Sequence, residues 1–321
     1  MKAIVNTGAK RVEWKDWPKP EPGPGQVRIR TAFCGICATD LEMIGGWERT
    51  GYPSIPGHEW SGVVELSGEG ADESLMGRAC VADNILCDGG EVGFEHPGGY
   101  GEYFFTEAGN IRLLPSEFPL DAAALIEPLA VCVRGMKRLG FIEKRSALII
   151  DDGPLELIFA SLLKLENVRN IVCVGGRPAR LEMPLSLGAD RIVNYHDDAK
   201  GVSEALGKAS FKTVVEASGT ASGIKTGLDC AAREGKVLAI GDYGATRADF
   251  PWNNLLHNEL KLIGSNAGTD AWDEAVSLAV SGKVPLKRLI SASFPASHFA
   301  HALRTVSESR EAVKIVLDWR V

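Results

Sequence analysis

SALIIDDGPLELIFASLLKL at residues 146–165, followed by NIVCVGGRP at 170–178, is the stretch that decides the fold. Residues 146–151 form a short β-rich apolar run, 155–165 carry apolar residues at helical spacing, and 170–174 return to a β-rich run. Strand, helix and strand at this interval predict a parallel sheet covered by helices on both faces. The same texture continues outward, with strands expected at 191–194, 212–216, 236–240 and 261–264 and helices at 178–187 and 223–232. The fold class is therefore α/β, a doubly wound parallel sheet.

The chain before about residue 115 reads differently, as short strands at 2–6, 26–33, 60–67 and 78–82, with Pro18, Pro20, Pro22 and Pro24 in a loop that cannot be helical. After 267 come a helix (272–281), a strand near Leu289, a helix (297–307) and a last strand (312–317). This suggests a tail that folds back onto a β-rich first domain, with a ligand cleft expected between the domains. Two domains suit 321 residues, of which 45% are hydrophobic and 24% charged. Thirty-five Lys and Arg against 42 Asp and Glu leave a net charge of −7, with no basic stripe, which excludes a nucleic-acid partner. Apolar runs are broken well short of the roughly 20 residues that a membrane span needs. No signal-peptide pattern opens the chain, and the expected compartment is the cytoplasm. Seven cysteines, an odd number thinly spread, suit a reducing compartment without disulfides.

The first chemical constellation is Cys34-Gly35-Ile36-Cys37-Ala38-Thr39-Asp40, then Gly57-His58-Glu59, then Ile126-Glu127-Pro128. A structural zinc ribbon needs a second Cys-x-x-Cys pair, which the chain lacks. A redox dithiol opens a helix after a βα turn, whereas Cys34 and Cys37 follow a strand of the β-rich part. The remaining reading gathers one thiolate, one imidazole and one or two carboxylates around a single zinc with an open position. As bare residues, the same His and Glu also fit ordinary turns.

The wider pattern says more. Residues 35–40, Pro56-Gly57-His58-Glu59, Gly98-Gly99-Tyr100-Gly101-Glu102-Tyr103 and Glu127-Pro128-Leu129 closely resemble the zinc-dependent medium-chain dehydrogenase/reductases of the alcohol dehydrogenase superfamily, in the polyol, threonine and glucose dehydrogenase branch. The likeness covers nearly the whole chain, since 216–219 and 233–237 also resemble the family's later Rossmann strands and turns. It implies a GroES-like β-rich catalytic domain at 1–118 and 267–321, and a Rossmann dinucleotide-binding domain at 119–266. By position, Cys37 and His58 match the first two catalytic zinc ligands, and Glu59 matches a carboxylate that ligates directly in the polyol branch. Glu127 matches a Glu that ligates zinc directly or through water. Zinc so held would act as a Lewis acid on the substrate oxygen and lower the pKa of a bound alcohol. Thr39 matches the hydroxyl that passes the alcohol proton outward. Glu42 stands where many relatives carry a relay His and glucose dehydrogenases carry Glu. Asp40 is expected to order the loop and Trp47 to wall the substrate pocket. Relatives often hold a second, structural zinc on four cysteines, but only Cys87 lies between Cys80 and Gly98 here. Residues 83–96 are therefore read as a trimmed lobe without metal, and His96 as a loop residue. The resemblance also implies a homodimer or homotetramer joined through the sheet edge at 261–264.

The turn Ile150-Asp151-Asp152-Gly153-Pro154-Leu155-Glu156 sits where a dinucleotide fold places G-x-G-x-x-G. Gly153 keeps the glycine that lets the backbone approach a pyrophosphate. Asp151 replaces the tight-turn glycine and Glu156 the helix-packing glycine, and two or three carboxylates so placed should repel a diphosphate unless they point away or the turn adopts a different course. At the end of the second strand, an NAD enzyme places an acid for the ribose 2′-hydroxyl, whereas an NADP enzyme supplies a cation. Here Gly175 removes the acid and Arg177 supplies the cation, in a pattern resembling the Gly-x-Arg-Pro of NADP-linked relatives. NADP(H) is favoured over NAD(H). The candidate cofactor residues are Gly153, Pro154, Leu155, Gly175, Gly176, Arg177 and Ser218. The expected function is a zinc-dependent oxidoreductase that moves hydride between NADP(H) and a secondary alcohol or ketone of a polyol, sugar or small hydroxy compound. The alternative is a family member that has lost catalysis and acts as a binding or regulatory protein, motivated by Asp151 and Glu156. A zinc-independent quinone reductase would lack the Cys37 and His58 pair.

Overall fold

The computed structural model describes residues 1–47, 49–197, 202–206, 211–266 and 268–321, so Ala267, the expected start of the tail, lies outside the described residues. The chain divides into two units, Met1–Pro128 with Trp272–Val321, and Leu129–Ala271. Residues 119–128 stay with the first unit. Ser61 Oγ donates to the Leu120 carbonyl at 2.5 Å, which ties α2 (Leu120–Ala123) to the first unit, and α1 (Ala38–Gly45) lies earlier in the same unit.

In the first unit, β1 (Lys2–Gly8) and β2 (Arg11–Asp16) form an antiparallel pair. The central strand is β3 (Gln26–Gly35), flanked by β4 (Trp60–Ser67), after which come β5 (Ala79–Ala82), β6 (Tyr103–Glu107) and β7 (Ile111–Leu113). In β6 the burial alternates residue by residue, the period of a strand with one face in the core.

The second unit holds β8 (Ala147–Ile150), β9 (Ile171–Gly175), β10 (Arg191–Asn194), β11 (Phe211–Glu216), β12 (Ala231–Ala239) and β13 (Lys261–Gly264). They pair in parallel in the order β10-β9-β8-β11-β12-β13, and the direction of winding reverses between β8 and β11. In such sheets ligands bind beyond the carboxyl ends of the strands at the reversal. Every residue of β8 and β9 is buried, as parallel strands covered on both faces require. Ile150 pairs with Val174, which sets the turn after β8 beside Gly175. After β8 comes α4 (Pro154–Leu165); the earlier α3 (Ile126–Leu139) begins at Glu127's turn. The single helix expected over 178–187 is two short ones, α5 (Pro178–Leu181) and α6 (Met183–Leu187), because Pro184 has no N–H to continue the ladder.

The tail returns to the first unit with β14 (Ile290–Pro295) and β15 (Lys314–Asp318), completing a sheet ordered β14-β15-β3-β4-β5-β7, with β6 also on β3. β15 runs antiparallel to β3 with Val316 opposite Gly35 and Leu317 opposite Cys34. That register carries Lys314 past the end of β3. The core of this unit includes Ile4, Ile29, Cys34, Trp60, Tyr100, Phe104, Ile315 and Leu317. Among the described residues no helix is long and apolar enough to cross a membrane.

Candidate metal centre and nucleotide-binding turn

Cys37 is the N-cap of α1, and its backbone N–H donates to Asp40 Oδ2 at 2.8 Å, so the helix start fixes the thiol. His58 follows Gly57, whose φ of +102° and whose missing Cβ are both needed, since a Cβ there would lie 2.7 Å from the Tyr100 nitrogen. Pairing of Cys34 with Trp60 between β3 and β4 then sets 58–59 beside 37. One donor atom each from Cys37, His58 and Glu59 lies within 4.8 Å of the others, in the single such group of three or more found among the described residues.

Asp40 does more than order its loop. It is fully buried, accepts the Tyr100 hydroxyl at 3.3 Å, and places Oδ1 3.4 Å from His58 Nδ1. Neither Asp40 Oδ1 nor His58 Nδ1 has a hydrogen-bond partner, although both are buried. Burial opposes a charged imidazole, but Asp40 and Cys37 outweigh it and hold the His58 pKa well above its ordinary range. The pocket thus favours positive charge at this point, and a thiolate, an imidazole and a carboxylate are donors that suit zinc. The residues fit the metal.

Glu59 is held by a residue that the sequence reading did not single out. Lys314 Nζ lies 2.7 Å from both carboxylate oxygens and also donates to the Ile36 carbonyl at 3.3 Å. Burial works against the ammonium, yet Glu59 and Cys37 carry its pKa up to about 12. Gly35 accommodates the pair, because a Cβ there would sit 2.2 Å from Glu59 Oε2. A lone lysine in the otherwise apolar run of β15 was the available signal. Glu127 is buried in the first turn of α3 and stands outside the group of three. Burial pushes its carboxyl up to about 7, with the His58 charge opposing and Glu59 reinforcing the rise.

Thr39 Oγ1 lies 3.7 Å from Cys37 Sγ, and Glu42 is exposed on the next turn of α1. Trp47 packs edge-on against Phe94, whose ring centroid is 4.9 Å from that of His58. In 83–96, His96 Nε2 pairs with Asp88 Oδ2 at 2.9 Å and Cys87 is exposed. All seven cysteines are free thiols.

In the second unit, Gly153 is the N-cap of α4, with Pro154 in the first turn where its missing N–H costs nothing. Leu155 is half-buried. The carboxyls expected to repel a diphosphate are handled in three ways. Glu156 turns into the fold and is 1% exposed, and burial together with Asp151 lifts its pKa well above the ordinary value. Its Oε1 has no hydrogen-bond partner. Asp151 is raised to about 7, by burial first and then by Asp152 and Glu216. Asp152 pairs with Arg177, Oδ1 to Nη1 at 2.8 Å, while its Oδ2 accepts the Gly176 N–H at 3.1 Å. Ser218 is turned inward, its N–H and hydroxyl both donating to buried Glu216, which also accepts the Tyr243 hydroxyl. Gly153, Gly175, Gly176, Arg177 and Ser218 thus gather at the carboxyl ends of β8, β9 and β11. The first-turn N–H groups of α4 suit a phosphate.

Residues 23–116 match the family profile described as alcohol dehydrogenase GroES-like domain, and residues 154–281 match that described as zinc-binding dehydrogenase. The L-threonine 3-dehydrogenase of Xanthomonas euvesicatoria pv. vesicatoria is 28% identical over 346 residues, covering 99% of this chain and 100% of that protein. The sorbitol dehydrogenase of Halalkalibacterium halodurans is 25% identical over 340 residues, covering 99% of each. A crystal structure of a zinc-binding dehydrogenase from Sinorhizobium meliloti 1021 bound to NADP has a TM-score of 0.91 at 22% identity, with 99% of this chain and 98% of that chain covered. The chain belongs to the zinc-dependent alcohol dehydrogenase family, built from a GroES-like domain and a Rossmann domain.

Proposed function

We propose that the protein is a zinc- and nicotinamide-dependent oxidoreductase acting on a secondary alcohol, or its ketone, of a polyol, sugar or small hydroxy compound. The observation that carries the reading is the convergence of Cys37, His58 and Glu59 within 4.8 Å in a pocket that favours positive charge. The sorbitol and threonine dehydrogenases among its relatives support an alcohol substrate.

Cys37 and His58 would hold the metal, with Glu59 and Glu127 as the carboxylates available to it. Bound there, zinc supplies Lewis-acid polarisation of the substrate oxygen. Asp40 fixes the imidazole from behind. Lys314 keeps the Glu59 carboxylate in place. Thr39, beside the Cys37 sulfur, takes the alcohol proton, and exposed Glu42 one turn along α1 passes it to solvent. Phe94 and Trp47 give the metal centre an apolar flank.

The coenzyme reading rests on the strand ends of the second unit. Gly175 and Arg177 favour NADP(H), whereas the Asp152 carboxylate paired with Arg177 works against a 2′-phosphate. The exposed Leu262 on edge strand β13 supports association into a homo-oligomer. Seven free cysteines support a cytoplasmic location.

Metal analysis of the purified chain, followed by a screen of polyols and sugars for nicotinamide reduction, tests the proposal. A single zinc per chain and turnover of at least one polyol or hydroxy compound is the expected result. Zinc-free protein after metal readdition would overturn the proposal. So would zinc-loaded protein that binds neither nucleotide, which would support a non-catalytic binding role instead.

A further inference from the structure

The turn after β8 in the second unit departs from the pattern expected of a dinucleotide fold. In a doubly wound sheet the carboxylate for an adenosine ribose projects from the end of the second strand. Gly175 stands there with no side chain, and none would fit. A Cβ on Gly175 would lie 2.8 Å from Asp152 Cβ and 3.0 Å from Leu181 Cδ2, closer than carbon atoms pack. The space that a strand-end side chain would enter is filled by Asp152, which comes from the first βα turn.

The carboxylate of Asp152 is fixed on two sides. Oδ2 accepts the Gly176 N–H at 3.1 Å, which pins it to the end of β9, and Oδ1 takes Arg177 Nη1 at 2.8 Å. Arg180 Nη1 donates to the Asp152 carbonyl at 3.2 Å and lies 4.0 Å from Oδ1. The Asp152 side chain is 13% exposed and that of Arg177 45% exposed, so the acid is seated and the guanidinium reaches outward. A Cβ at 176 would meet the Tyr195 ring at 2.0 Å, so a side chain there would have to displace that ring. The arrangement is thus one built unit of Asp152, Gly175, Gly176, Arg177 and Tyr195.

We propose that Asp152 sets coenzyme choice: it is a ribose carboxylate moved from the second strand to the first turn, and it holds Arg177 away from a 2′-phosphate. The proposal rests on the reading that a nicotinamide dinucleotide occupies this turn. A carboxylate accepts both ribose hydroxyls of an NAD-type coenzyme but repels a phosphate dianion at the same place. The cation that the sequence offers to NADP is already committed to Asp152. The intact chain therefore takes NAD(H) at least as well as NADP(H), and removal of the Asp152 charge turns it toward NADP(H).

Fluorescence titration of the zinc-loaded, full-length protein with NADH and with NADPH tests this, using wild type, D152N, R177A and the double variant. D152N keeps an oxygen for the Gly176 N–H, and a thermal melt checks that it folds; D152S serves if it does not. The expected result is a shift of the NADH-to-NADPH affinity ratio toward NADPH by about tenfold or more in D152N, the size of one charge-assisted contact. R177A added to D152N abolishes the NADPH gain. Equal weakening of both nucleotides in D152N, or an unmoved ratio, would overturn the proposal while leaving the dehydrogenase reading intact. Failure of the wild-type chain to bind either nucleotide would overturn both.

Discussion

The metal centre of the first unit and the turn after β8 in the second both bury carboxyl groups, and they resolve the cost in opposite ways. At the metal centre, Glu59 sits with a cation against both of its oxygens, Lys314 at 2.7 Å. At the turn, Glu156 leaves Oε1 unpartnered, and burial together with Asp151 raises its pKa well above the ordinary value against the pull of Arg180. A buried acid is tolerated only when paired or when neutral. The difference teaches which acids remain available for chemistry. The carboxylate at the metal centre is kept in place for a metal or a cation, whereas Glu156, standing where a glycine was expected, has been withdrawn from the site.

The comparison breaks most visibly at the metal itself. Cys37→Ser removes the softest donor of the cluster, and kcat/KM on the best alcohol should fall roughly thousandfold, about 4 kcal/mol of lost Lewis-acid stabilisation. Metal analysis should show the zinc gone while the thermal melt of the second unit is unmoved. Retained zinc with full activity would mean that the centre is held by other residues.

The next effect tests whether Glu59 truly depends on its partner. Lys314→Met strands the carboxylate in a buried position and should cost about 3–5 kcal/mol in urea unfolding. Adding Glu59→Gln should return much of that loss, because the pair is then removed rather than broken. If Lys314→Met costs nothing, Glu59 does not depend on its cation and the contrast between the two regions disappears. Asp40→Asn is milder, since it keeps the cap on the Cys37 N–H but removes the charge behind His58. Zinc affinity, measured by competition with a chelator, should weaken by about 10–100-fold; unchanged affinity would reduce Asp40 to a loop-ordering residue.

The strands at 60–67, 191–194 and 261–264 lie where the β-rich runs put them, because β-branched and apolar residues suit a pleated sheet on the edge strands β10 and β13 as well as on buried β4. Helix α1 escaped that reading because it is short and its start is set by a cap, Asp40 on the Cys37 N–H, rather than by an apolar stripe. The approach of Cys37, His58 and Glu59 follows from their motif, while Lys314 lies 255 residues beyond Glu59 and meets it only through the register of β15 on β3. The lysine that opens the apolar run of β15 is the one local trace that a pairing of that span leaves. Asp152 was hidden for a related reason: as a string, Asp-Asp-Gly reads as two charges that repel a phosphate. Only the side-by-side placement of β8 and β9 shows one of them turned onto Arg177.

The smallest effect sharpens the contrast through pH. The Glu156 carboxyl has a folded pKa raised well above its ordinary 4.5, so between those values the folded chain keeps a proton that the unfolded chain releases. Stability must then fall as pH rises through that window, since the folded state binds more protons there. Glu156→Gln cannot titrate and keeps the shape of the protonated acid. It should match wild type in mildly acidic buffer and gain on it as the pH is raised, by at most about 1.4 kcal/mol for each pH unit. Urea unfolding of both proteins across the range reads the slope directly. A gap that stays flat would mean that Glu156 is ionised inside the fold, and a carboxylate so placed would have to be met by a cation, as Glu59 is met by Lys314.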